Sequence, residues 1–406
     1  MPRPHAARRF ATVLATVLSV TLGAGAVGTP AATAASAEDG ITLIRHTVPS
    51  VIDMTNRQYI WLDWELSGGS WATVVIRNIR TGHTTTELLG TASNSNTFRL
   101  SWDTHDSEKG DVPNGDYTWT ITAETLDGTP LDFKASGSFK LVRQPAAHDL
   151  NVNGAFDLLQ RDSAGGLWRT DSTYYSGELD MESHRREFIG PGWQVYDRIE
   201  AVGNLGGSAV SDILTRDTSG VLWLHAGNGK GGFYGRIKVG TGWQVYNRIT
   251  AGSDLTGDRR PDVLAADKTG VLWLHPGTGN ATTPFTARKK IGTGWGVYND
   301  ITAVGDIAGG PAGDILARDT SGVLWSHLGK GDGTFAPRTR VGGGWNTYSH
   351  LIATADVSKD GRPDLLAIRG NGDMSLYRGT GSWKTPLLSA QRVWSYDIEF
   401  GYNHAA

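Results

Sequence analysis

From residue 40 onward the apolar positions alternate instead of recurring at helical spacing. In Tyr117-Thr-Trp-Thr-Ile-Thr-Ala123, the residues Tyr117, Trp119, Ile121 and Ala123 share one face and threonines the other. A half-buried strand requires that pattern. Tyr59–Trp64, Ala72–Ile76 and Phe98–Trp102 read the same way. With 54 glycines and 15 tryptophans, the chain is rich in tight turns and in residues that favour β surfaces. An all-β protein is expected.

Past residue 146 the pattern repeats. The segments GPGWQVYDRI, GTGWQVYNRI, GTGWGVYNDI and GGGWNTYSHL place Trp193, Trp243, Trp295 and Trp345 at successive intervals of 50, 52 and 50. Tyr196, Tyr246, Tyr298 and Tyr348 follow three residues after each. RVWSYDI, with Trp394, reads as a degraded fifth copy. In phase with this ladder run Trp168, Trp223, Trp273, Trp325 and Tyr377, each preceded by leucine and by a Gly-containing turn. Four short strands fit in each unit of about 50 residues, which is the blade pattern of a propeller. Five such units fill residues 146–406, so a five-bladed β-propeller is expected. One unit cannot bury both faces of its sheet, whereas neighbours stacked round an axis can. The first unit lacks a GxGW strand of its own, and Trp394–Phe400 is expected to supply it and close the ring.

One loop per unit carries oxygen-bearing side chains at alternate positions. The first has Asp149, Asn151, Asn153 and Asp157; the third Asp254, Thr256, Asp258 and Asp262; the fifth Asp356, Ser358, Asp360 and Asp364. Ca²⁺ takes six to eight hard oxygens, and alternate residues of a tight loop converge inward. These twelve residues are the expected metal ligands. The second loop (Asn204, Gly206, Ser208, Asp212) and the fourth (Asp306, Ala308, Gly310, Asp314) offer too little side-chain oxygen.

These loops resemble those of the FG-GAP/VCBS family, found in integrin α-subunit propellers and many secreted bacterial proteins. Its motif, Asp-x-Asp/Asn-x-Asp/Asn-Gly-x-x-Asp, is matched fully by Asp149–Asp157. Ser358 departs from it, as do Thr256 and Arg259. The resemblance covers about residues 146–400 and implies structural calcium. The GxGW-x-x-Tyr strand is also similar to that of tachylectin-type five-bladed lectins, which implies sugar binding between blades.

Residues 38–145 hold no copy of the repeat, and their strand spacing suggests a β-sandwich. Trp102-Asp-Thr104 followed by Gly110–Tyr117 resembles the Ig-like module of flagellar hook-capping (FlgD-type) proteins and secreted proteases, with Thr104 and Asn114 as departures. That resemblance implies a spacer or adhesion module. Residues 1–37 read as a secretory signal, with Arg3, Arg8 and Arg9 before an apolar run and Ala35-Ser36-Ala37 as the cleavage pattern. Nothing later is apolar for long enough to span a bilayer.

The formal charge is −3, and removing residues 1–37 with their three arginines takes it to −6. A mildly acidic chain argues against nucleic acid as a partner. With no cysteine there are no disulfides and no thiolate chemistry. No GxSxG, HExxH or phosphate-loop motif is present. His225, His275 and His327 recur at one position of the repeat and are candidate ligand contacts. Repetition places them a unit apart, which disfavours a shared metal. The expected function is a monomeric, secreted, non-catalytic binding module for carbohydrate or a cell-surface polymer. An extracellular protein partner is the first alternative, and a hydrolase or lyase at a central channel the second.

Overall fold

The computed structural model describes residues 33–34 and 40–406 apart from 55–56, 58, 81, 92–94, 107–109, 144–146, 176, 182–185 and 396–401. The expected leader therefore lies outside the described residues, save for a two-residue strand at Thr33–Ala34.

The first 100 or so described residues form two main sheets with one core between them, beside a short pairing of His105–Asp106 with Gly110–Asp111. One sheet runs Thr33–Ala34, Pro130–Val142, Gly115–Glu124, Trp71–Asn78 and Thr84–Gly90, with Val51–Asp53 pairing parallel to Pro130–Val142. The other is Leu43–His46, Ile60–Leu66 and Thr97–Trp102. The alternation read in the sequence decides which faces meet. Tyr117, Trp119 and Ile121 point from the first sheet onto Trp64, Leu62 and Phe98 of the second, all nearly inaccessible to water. Gly137 lies against the Trp119 indole, where an added Cβ would come within 2.6 Å of the ring.

The rest of the chain makes repeated four-stranded antiparallel sheets, five among the described residues. Four are built from consecutive strands: Tyr196–Gly203 to Phe233–Gly240, Tyr246–Ser253 to Lys289–Gly292, Tyr298–Gly305 to Thr339–Gly342, and Tyr348–Ala353 to Gln391–Arg392. The remaining sheet joins Asp157–Asp162, Leu167–Asp171 and Arg186–Gly190 to Tyr402–Ala405. Apolar side chains of one sheet pack on those of the next, so Leu214 and Leu224 share a core with Val263 and Ala265, and Leu264 and Leu274 with Ile315 and Ala317. The innermost strands all border one central cavity. Sheets stacked face to face round such a channel form a β-propeller.

The register corrects two sequence expectations. The strand seen to complete the first sheet is Tyr402–Ala405; of the expected Trp394–Phe400, residues 396–400 lie outside the described residues, and Trp394 is not on that sheet. Tyr402 pairs with Asp162 as Tyr196 pairs with Asp217 and Tyr246 with Asp267. Tyr402-Asn403-His404 is thus the fifth copy of the tyrosine strand, without the GxGW that introduces the others. Trp394 instead bridges to Asp180, in the hairpin strand Glu178–Asp180, and its Nε1 donates to Glu178 at 3.0 Å. Secondly, Leu365 faces Tyr377 as Val263 faces His275, so Tyr377 stands at the histidine position and Ser375 at the tryptophan position.

Candidate functional site

The GxGW segments form 3₁₀ turns, each introduced by a glycine with φ near +90° (93°, 87°, 87° and 86°). Only glycine takes that conformation without strain. The turn lets the tryptophan N–H donate to a carbonyl of the preceding sheet's hairpin: Trp243 to Gly220 at 2.9 Å, Trp295 to Gly270 at 3.0 Å. An arginine staples the same junction. Arg216 Nη1 donates to the carbonyls of Trp243 and Tyr246, and Arg318 Nη1 to those of Trp345 and Tyr348. The repeated tryptophans are therefore joints between sheets.

Beside three of the four joints the structure places a predicted ligand contact. His225, His275 and His327 are 6–7% exposed. His275 and His327 stack on Trp243 and Trp295, ring centroids 4.6 Å apart, and bond the Tyr246 and Tyr298 hydroxyls at 3.2 and 3.0 Å. His225 bonds Thr215 instead, at 3.0 Å. Burial lowers each imidazole to about 4. The three rings sit in separate junctions and do not converge.

On the outer side, four tryptophans form a second repeated group. The indole N–H of Trp168, Trp223, Trp273 and Trp325 donates to Asp162, Asp217, Asp267 and Asp319 at 2.8–2.9 Å. Arg186, Arg236, Arg288 and Arg338 cover their faces at 3.9–4.1 Å. Tryptophan, guanidinium and carboxylate thus recur as a surface set at four equivalent places.

The acidic loops bend tightly, through positive φ at Val152, Arg259 and Lys359. The first aspartate of each collects the loop's own N–H groups. Asp254 accepts from Thr256, Gly257, Asp258 and Arg259; Asp356 accepts from Asp360 and Gly361. The closing aspartate accepts from the loop on one oxygen and from the third strand's end on the other. Asp262 takes Leu255 at 2.9 Å and Gly277 at 2.9 Å, and Asp364 takes Ser358 at 2.8 Å and Gly379 at 3.1 Å. Asp212 and Asp314, in the loops poor in ligands, brace the sheet in the same way. The ninth-position acid is therefore a structural brace in its own right. The first loop differs: Arg169, 2% exposed, donates to Asp157 at 2.9 Å, to Asp171, and to Glu187 at 2.7 Å. Asn151 and Asn153 also donate their side-chain amides to Asp171. That loop does not fit a divalent ion in this arrangement, because a guanidinium already lies on its closing acid. Among the described residues, no three His, Cys, Asp or Glu side chains are grouped to hold a metal. The loops of the third and fifth units would have to draw also on Thr256, Ser358 and backbone carbonyls.

The central cavity, about 470 Å³, was not legible in the sequence as a site. Aligning the innermost strands on their tyrosines puts Arg198, Arg248, Asp300, His350 and His404 at one level of its wall, two residues past each tyrosine. Glu200 stands one step further along. Asp300 is held by Arg318 at 3.3 Å. Burial pushes the Glu200 carboxyl up to about 8, against the pull of Arg198. The only sequence signal for this ring is the third residue of Tyr-x-x, which reads Arg, Arg, Asp, His, His and so has no repeat to notice.

An FG-GAP-like repeat model matches residues 313–367, the acid-braced second strand of the fourth unit through that of the fifth. No curated protein sequence matches the chain. Among solved structures, the BP39L lectin from Burkholderia pseudomallei is similar at 15% identity, over 80% of this chain and 95% of that one, with a TM-score of 0.35. AofleA from Arthrobotrys oligospora is similar at 8% identity over 93% and 92%, with a TM-score of 0.36. BBS1N, solved in complex with ARL6DN, is similar at 11% over 68% and 76%, with a TM-score of 0.29. Scores this low fix no ligand.

Proposed function

We propose that the protein is a non-catalytic binding module: an exported, five-bladed propeller that takes a carbohydrate or cell-wall polymer, carried behind an Ig-like module at residues 38–145. The observation that carries this reading is the surface set of tryptophan, arginine and aspartate, repeated on four sheets. The exposed guanidinium donors suit the hydroxyls of sugars, and the indole beneath holds each one in place. Several weak, equivalent sites on one rigid frame give avidity for a polymer. Calcium belongs to the same reading. The loops at Asp254–Asp262 and Asp356–Asp364 fit it best, and an extracellular setting supplies it. No helix among the described residues is long and apolar enough to cross a membrane.

The test is retention of the full chain on chitin, peptidoglycan and a soluble polysaccharide panel, with and without EDTA. Retention that weakens in Arg236→Ala combined with Arg288→Ala supports the reading. No retention on any polysaccharide, with an extracellular protein captured instead, replaces it with the adhesion reading. An unchanged melting curve and no bound metal after EDTA would remove calcium from it. A hydrolase or lyase in the channel is disfavoured. Of the two side-chain carboxyl groups there, Asp300 is engaged by Arg318, and a paired acid and base needs both.

A further inference from the structure

The central channel holds two arginines, Arg198 and Arg248, that make no direct ion pair with a described residue. Arg198 Nη2 and Arg248 Nη1 donate to the same carbonyl oxygen, that of Asn247, at 3.1 and 2.8 Å. Two guanidinium groups therefore meet on one neutral acceptor. Arg248 Nε donates to a second carbonyl, that of Asn299, at 2.8 Å. Neither arginine makes an ion pair with a described residue, although Arg216 and Arg318 nearby both do. Arg198 Nε is buried without a hydrogen-bond partner. Burial first, then the proximity of Arg198, lowers the Arg248 guanidinium from its ordinary value, against the pull of Asp300. Like charges held together in a desolvated site cost free energy unless an anion joins them. Such an unsatisfied donor calls for an occupant.

We propose that the channel is a binding site for a small oxyanion, a carboxylate or phosphate group, which lies on Arg198 and Arg248. It is distinct from the repeated surface sets and stands whether or not these bind sugar. The cavity has room for such a group and several carbon atoms around it. Charge-assisted bonds from guanidinium to oxyanion are shorter and about twice as strong as neutral ones. The donors left over after Asn247 and Asn299 supply them.

Glu200 sets the pH range. It shares the channel with Arg198 on its own strand, with Arg248, with Asp300 and its partner Arg318, and with His148, His350 and His404. Burial keeps the three imidazoles neutral at pH 7, His148 and His404 falling to about 4. Below about pH 8 the Glu200 carboxyl is protonated and contributes no charge against the two guanidiniums. As pH rises through that value the carboxylate forms beside them and competes with the ligand, so affinity falls.

The experiment is isothermal titration of the full chain with sodium acetate and with sodium phosphate at constant ionic strength, using chloride as the control. Binding of one or both is expected, with the stronger probe naming the source chemistry. Arg248→Gln and Arg198→Gln should each weaken it about tenfold or more, the loss of one charged hydrogen bond. Lys238→Gln, on an exposed outer strand, should leave it unchanged. In wild type the affinity should drop above pH 8, and in Glu200→Gln it should not. Glu200→Gln also covers the case in which an arginine variant fails to fold. No heat with either anion, arginine variants that bind like wild type, or an alkaline decline that survives in Glu200→Gln would each overturn the proposal.

Discussion

At the scale of single residues, the first unit solves with an ion pair a problem the others solve with a backbone hydrogen bond. Arg169 occupies the position of Leu224, Leu274, Ser326 and Leu376 and brings a guanidinium to Asp157. In the other units a glycine N–H does that work, at Gly227, Gly277, Gly329 and Gly379. These glycines are forced by close approach, since a Cβ at Gly277 would stand 2.2 Å from the Pro261 carbonyl oxygen. Arg169→Leu should therefore leave the buried Asp157 and Asp171 without their cation and cost about 3–5 kcal/mol, the usual penalty for removing one member of a buried pair. Replacing Asp171 by alanine in the same chain should restore part of it. Chemical denaturation of the single and double variants checks both. Arg169 was not legible as a partner of the loop, because it lies twelve residues beyond Asp157 and becomes a neighbour only through strand pairing.

At the scale of the element, the histidine, tryptophan and tyrosine of each junction act together. Tyr377 shows that the position tolerates another ring, since its hydroxyl meets that of Tyr348 at 2.7 Å and it packs 4.8 Å from Trp345. This makes a pH prediction with a definite sign. His275 and His327 stay neutral in the fold down to about pH 4 but take a proton near 6.5 once unfolded. Between those values the unfolded chain binds more protons, so stability falls as pH drops from about 6.5 towards 4. The double variant His275→Tyr, His327→Tyr should lose less melting temperature between pH 7 and pH 5 than wild type. An equal loss would show that these imidazoles are not sealed from water. Period and strand type were legible here, because tryptophan and tyrosine recur at near-constant spacing. The register of the last copy was not, since Met374-Ser-Leu-Tyr377 keeps a leucine–aromatic pair while sliding it by two residues. That slide keeps the face and changes the partner.

At the scale of the whole molecule, the sheets are held by neighbours on both sides and the closing contact carries the ring. Tyr402–Ala405 pairs with Asp157–Asp162, Arg161 Nε donates to Asn403 at 2.7 Å, and His404 bonds the Ile199 carbonyl of the next sheet at 2.9 Å. Removing residues 402–406 bares an inner edge and opens the channel wall, so a large drop in melting temperature and a broadened transition are expected in calorimetry. A sharp, unshifted transition would mean that the ring does not depend on this strand. The ring's existence followed from the repeat. Its true clasp was hidden because Trp394 mimics the ladder, whereas Tyr402-Asn-His lacks the glycine turn that marks the rest.

Arg161 and Asn403 are 242 residues apart along the chain. A ribosome, which releases the polypeptide from its N-terminus, therefore delivers the first sheet long before its innermost strand. Throughout that interval an unpaired edge stays available to wrong partners, and final folding waits on emergence of the last strand.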